Sequence, residues 1–171
     1  MQKILAILIV FALCTAMGMK SAARLQSRAK LLSALVLSVR RFMMAMEYEK
    51  KPLYRIAQNR AYGQVQALWD AFGAGLAAGK APADAFAQAM AQADEAVRGF
   101  LSLRREERQL LLEFAGTLGG TDLKTQRAGA ALLTSRLEEL AETAQRENSV
   151  KGRVYRTMGM LCGAAVAILM L

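Results

Sequence analysis

Apolar residues recur along this chain with a helical rhythm. Leu32, Leu35, Val39, Phe42 and Met46 step by three and four residues, as do Leu133, Leu137, Leu140 and Ala144, so each set forms one buried stripe on a helix. No run alternates with the two-residue period of a half-buried strand, and the expected fold class is therefore all-α. Pro52 suits the first turn of a new helix, where a missing N–H costs nothing. A segment carrying Val65, Leu68, Trp69, Phe72 and Leu76 ends at Gly79, and Ala81-Pro82-Ala83-Asp84 opens a helix with Phe86, Met90 and Val97. Ser102 is a candidate cap for a helix running through Leu110, Leu111 and Phe114. Gly119-Gly120-Thr121 then reads as a glycine stop followed by a Thr cap.

The two ends break the amphipathic pattern. Ile4 to Met19 and Thr157 to Leu171 carry no charge; each run is about 15 residues, against roughly 20 for a comfortable span of hydrocarbon. Lys3, Lys20, Tyr155 and Arg156 flank these runs and extend the effective span by snorkelling. The expected organisation is a transmembrane helix at 1–19, a cytoplasmic helical domain at 20–156 and a second transmembrane helix at 157–171. Long helices continue into both membrane segments and run antiparallel, carrying a bundle of shorter helices. A cleavable secretory signal ending near Ser21-Ala22-Ala23 competes for the first run. Charge topology argues against it. Lys20, Arg24, Arg28 and Lys30 follow the first run, and Arg146, Lys151, Arg153 and Arg156 precede the second. Positive residues flank the cytoplasmic side of membrane helices, so both clusters place the middle inside the cell. A lipoprotein signal is excluded by bulky Leu13 before Cys14.

Charge adds a second asymmetry. The 171 residues include 23 Lys and Arg against 14 Asp and Glu, a net charge of +9. Residues 20–60 hold 10 basic and 2 acidic side chains, whereas 61–156 hold 12 of each. A basic first portion suits anionic lipid or an acidic partner; with no groove-reading motif or aromatic platform, nucleic acid is not an expected partner.

Candidate chemistry is sparse. The chain has no histidine, which removes His-based triads and most zinc sites, and its 2 cysteines cannot make a disulfide framework. Gly73-Ala74-Gly75-Leu76-Ala77-Ala78-Gly79-Lys80-Ala81 imitates a phosphate-binding loop. It has Ala74 where the motif needs Gly and Ala81 where it needs the Ser or Thr that holds magnesium, and no strand precedes it, so a small-residue helix with a glycine stop is expected. Glu106-Glu107 and Glu138-Glu139-Glu142 read as solvated helix surface, Met43, Met44 and Met46 as core or adaptable contact surface, and Trp69 as core. No catalytic, metal or cofactor site is expected, and the chain is not expected to be an enzyme. Gly159 and Gly163 form a GxxxG that lets two helix backbones approach closely.

The order of short motifs resembles a known family. Pro52-Leu53 follows a basic amphipathic helix; Leu118-Gly119-Gly120-Thr121-Asp122-Leu123-Lys124-Thr125-Gln126 precedes a long helix; Tyr155-Arg156-Thr157-Met158-Gly159 opens the last apolar run, which Gly163 closes. In this sequence and spacing the chain resembles the stage III sporulation protein AB family along its whole length. The resemblance implies a soluble region similar to the cytoplasmic domain of the platform (F) component of type II secretion and type IV pilus machines. It implies a scaffold in the mother-cell membrane around the forespore, in the channel complex joining the two cells, docking a cytoplasmic AA-type ATPase and other subunits of the complex. Self-association is a further expectation. Arg40, Arg41, Lys50, Lys51, Arg55 and Asp122 are the candidate partner-contact residues. The competing reading is a lipid-binding dimeric membrane adaptor or sensor that uses the basic helix and the GxxxG.

Overall fold

The computed structural model describes residues 2–49, 51–58, 62–96, 100–118 and 123–169. Among these residues the chain is helical and contains no strand, as the periodicity predicts. The elements are α1 (Gln2–Tyr48), α2 (Leu53–Ala57), α3 (Gln66–Ala77), α4 (Pro82–Ala96), α5 (Arg105–Thr117) and α6 (Leu123–Leu169), with 3-10 turns at Gly63–Val65 and Phe100–Ser102. They form two compact units. One, the hairpin unit, comprises residues 1–29 and 143–171; the other, the helical unit, comprises residues 30–142.

In the hairpin unit, α1 and α6 run antiparallel. A side chain on Gly163 would touch the Phe11 ring, one on Gly159 would touch Cys14 and Gly18, and Arg28 donates to Glu147 at 2.8 Å. Backbone approach dictates the small residues. A Cβ on Gly18 would lie 2.6 Å from the Tyr155 carbonyl oxygen, closer than any side chain tolerates. Gly159 and Gly163 face α1 of the same chain at close approach.

In the helical unit, Leu32, Leu35, Val39 and Phe42 on α1 are fully buried, the stripe predicted for them. Phe42 leads into an aromatic cluster: Trp69 of α3 stacks on Phe42 at 4.7 Å and on Tyr62 at 4.9 Å. Phe72 of α3, Phe86 of α4 and Phe114 of α5 pack edge-on around them. Such rings each bury about 150–250 Å², so a handful of them supplies much of the driving force for this unit. Trp69 is core, as its helical spacing predicts.

The glycine-rich stretch resolves as a helix face and a turn. Gly75 meets Ala85, so α3 and α4 approach closely, and Gly79 takes φ +78° in the turn between them. Pro52 sits at the N-cap of α2, where the sequence places it.

Three local expectations are corrected. Ser102 lies in a 3-10 turn, and α5 starts at Arg105. The Glu107 carboxylate accepts from the Arg104 backbone N–H at 2.7 Å, and Glu107 is fully buried, not solvated as its charge suggested. It satisfies a donor that the helix start would otherwise leave without a bond. On α6 the buried stripe runs through Ala130, Leu133, Leu137 and Ala141, with Leu140 only half-buried. A step of four from Leu137 to Ala141 replaces the expected three, and the stripe returns to its expected register at fully buried Ala144.

Candidate functional site

In the hairpin unit the ordinary distribution of side chains is inverted. Glycines and buried Ala22 and Ala29 occupy the helix contact, while Ile9, Leu13, Met17, Met158, Met160 and Leu161 point outward. Leu13 is 60% and Met17 71% exposed. Exposed Lys20, Arg24, Arg153 and Arg156 adjoin this apolar surface, and the Arg28–Glu147 pair is buried beside it. Among the described residues, no helix is long and apolar enough to cross a membrane. The spans expected at 1–19 and 157–171 are therefore not established by helix length and hydropathy. Each uncharged run is about 15 residues, against roughly 20 for a comfortable span.

In the helical unit, Arg40, Arg41, Lys51 and Arg55 are the partner-contact candidates that fall among the described residues. Arg40 is held in an ion pair by Glu138 of α6. Arg41, the next residue, projects about 100° around the helix and is exposed; its charge acts on Tyr62. Burial pushes the Tyr62 phenol up to about 12, the Glu49 carboxylate adds to the rise, and Arg41 opposes it. The Tyr62 hydroxyl donates to the Ile56 carbonyl at 2.9 Å and so ties the start of α3 to α2. Lys51 donates to Glu49 at 2.8 Å while remaining more than half exposed, and Arg55 on α2 is exposed. Lys50 and Asp122 lie outside the described residues.

Two features escaped the sequence reading. The first is a groove of about 550 Å³ between α1 and α6 of the helical unit, walled by Met43 and Met44 and lined on α6 by Ala130, Ala131, Thr134 and Ser135. Ion pairs border it: Arg40 with Glu138, and Glu47 with Arg127 at 3.2 Å. Each charge is visible in the sequence, but the pairing depends on the register of two segments about ninety residues apart. The second is Arg108, whose guanidinium donates to both Asp94 oxygens at 2.6 and 2.7 Å and to the Phe100 carbonyl at 2.8 Å. The Asp94 hydrogen bonds raise its pKa above the ordinary guanidinium value and lock α5 to α4. Among the described residues no group of three or more acidic or cysteine side chains converges as a metal site would require.

Comparison with known proteins places this architecture. The model of a family described as stage III sporulation protein AB matches residues 3–171. A solved structure of a stage III sporulation protein AB is similar to this chain with a TM-score of 0.59 and 22% identity, over 71% of this chain and 96% of that one. No curated protein matches.

Proposed function

The chain belongs to the stage III sporulation protein AB family, and on that premise we propose that it is a membrane platform subunit of the sporulation channel complex between mother cell and forespore. The observation that carries this reading is the inverted hairpin unit, with glycines inside and large apolar side chains outside. In water such a surface is a liability, whereas in lipid it is the expected arrangement for a helix pair packed through small residues. The limited apolar length is compensated by Lys20 and Arg156, whose side chains reach the headgroups from either helix, and by local thinning of the bilayer. The positive residues next to both runs support a cytoplasmic location for the helical unit.

The helical unit then docks a cytoplasmic secretion-type ATPase, by analogy with the F platform of type II secretion machines. Lys51 and Arg55, exposed at the start of α2, are the contact residues best supported by their accessibility; Arg41 and Lys50 extend the same basic segment, and Asp122 belongs to the α5–α6 connection. Other subunits of the complex are further partners.

Purification of the tagged chain from sporulating cells tests this. The ATPase is expected to copurify with the wild type and to be lost with Lys51→Glu/Arg55→Glu, at unchanged protein level and membrane fraction. Undiminished recovery with that variant overturns the docking assignment. Recovery of anionic lipid with no ATPase in either sample favours instead a lipid-binding adaptor, for which exposed Lys20, Arg24, Arg153 and Arg156 would be the headgroup contacts.

A further inference from the structure

The groove between α1 and α6 in the helical unit is bordered by charges in a checkerboard. On α1, Arg40 precedes Glu47 by seven residues, or about 10 Å of helix; on α6 the order along the same direction is Glu138 and then Arg127. The midpoint of Arg40 and Glu47 falls between Met43 and Met44, and that of Arg127 and Glu138 between Leu132 and Leu133. Both ion pairs are largely solvent-facing, with side-chain exposures of 56% and 34% for Arg40 and Glu138 and of 56% and 43% for Arg127 and Glu47. Beside the groove Met44 stands 53% exposed, and Leu37 and Tyr48 prolong the exposed apolar stripe along α1. Leu37, Arg40, Met44 and Tyr48 recur at three- and four-residue steps, the seam of a helix that packs against another.

Such a face complements itself. We propose that it is an isologous contact between two copies of the chain, in which the two α1 segments cross antiparallel about a two-fold axis passing between Met43 and Met44. That rotation sets Arg40 of each copy against Glu47 of the other, and Arg127 against Glu138, so every charge gains an opposite neighbour and none meets its like. Met43 and Met44 meet their counterparts at the axis, where flexible thioether chains fill a shared groove without demanding a fixed shape. The α1-on-α1 arrangement is selected because α1 carries the stripe of exposed apolar residues, whereas α6 lines the groove with the small residues Ala130, Ala131, Thr134 and Ser135. The inference does not depend on the ATPase assignment, which rests on Lys51 and Arg55.

Crosslinking of the full chain tests it, in detergent or membranes, after Cys14→Ser and Cys162→Ser remove the native thiols. Met44→Cys is expected to yield a disulfide-linked dimer on oxidation, and Gln109→Cys, exposed on α5, is expected not to. In the Met44→Cys background, Arg40→Glu and Glu47→Arg should each lower the dimer about fivefold, the scale of losing exposed ion pairs. The decisive sample is an equimolar mixture of those two variants. Each chain then carries two like charges on α1, so the mixed dimer regains both intermolecular α1 pairs while the one intrachain pair that each variant breaks stays broken. Restored crosslinking in the mixture, and in the double variant Arg40→Glu/Glu47→Arg, supports the contact. Failure of the mixture to exceed either variant alone overturns it, because the charges then act only within one chain. Equal crosslinking at Gln109→Cys, or capture at Met44→Cys of a different polypeptide in place of a second copy, also overturns it. Helical circular dichroism of each variant separates loss of contact from loss of fold.

Discussion

Tyr62 shows how much one polar group constrains this core. Its ring stacks on Trp69, its hydroxyl is bound to the Ile56 carbonyl, and its pKa stands at about 12 against an ordinary 10.0. A group whose pKa is raised on folding contributes stability that is complete below the unfolded value and lost as pH climbs to the folded one. Stability is therefore expected to fall by on the order of 2 kcal/mol between about pH 10 and 12. Tyr62→Phe should be about 1 kcal/mol less stable at neutral pH and lack that part of the alkaline slope; denaturant unfolding at pH 8 and 11 measures both. The glycines of the hairpin unit are equally specific. Gly159→Val puts methyl groups where Cys14 and Gly18 backbone atoms already lie, and is expected to prevent close pairing of the two helices. Single-chain crosslinking between Phe11→Cys and Gly163→Cys reports this: it should form in the native background and disappear with Gly159→Val. At this scale the sequence was informative about Trp69, Gly159 and Gly163, whose neighbours follow from helical spacing. It was silent about Glu107 and Arg108, because a carboxylate's burial depends on a backbone N–H and a guanidinium's partner on a different helix.

The elements follow from the apolar rhythm, and their ends from local chemistry that is harder to read. Helix α5 begins at Arg105, not beside Ser102, since a fully buried carboxylate three residues into the cap region outcompetes an isolated serine. Glu107→Ala is expected to cost about 1–3 kcal/mol by stranding the Arg104 N–H and leaving a void, whereas Ser102→Ala should change stability by less than about 0.5 kcal/mol; thermal unfolding of the two variants separates these assignments. The buried stripe of α6 takes Ala141 in place of Leu140 and returns to the expected register at Ala144. The charges of the α1–α6 groove were legible as residues but not as pairs. Their meaning lies in the antiparallel register that brings Arg40 to Glu138 and Glu47 to Arg127.

For the whole molecule, the all-helical class and the family were readable from the order of motifs along the chain, while the membrane topology was not settled by hydropathy. Each apolar run is about 15 residues against roughly 20 for a full span, and the outward direction of its large side chains carries the membrane reading. The proposed anchoring makes a direct prediction. The full chain should sediment with membranes and stay there through alkaline carbonate and high salt, and its central region should resist protease added outside intact protoplasts. Release by carbonate would indicate peripheral attachment, and digestion of the central region from outside would reverse the topology.

The Arg28–Glu147 pair has a mechanical corollary. The two side chains are 5% and 18% exposed, so they are joined largely away from water. Sliding α6 along α1 by one helical turn, about 5.4 Å, would pull the buried Arg28 guanidinium from this carboxylate, while Glu147 would keep its contact with Lys151 on the same helix. The pair is therefore a detent that fixes the two helices lengthwise. Any force delivered to this hairpin is transmitted by tilting or displacing it as one piece, not by a piston stroke of one helix past the other.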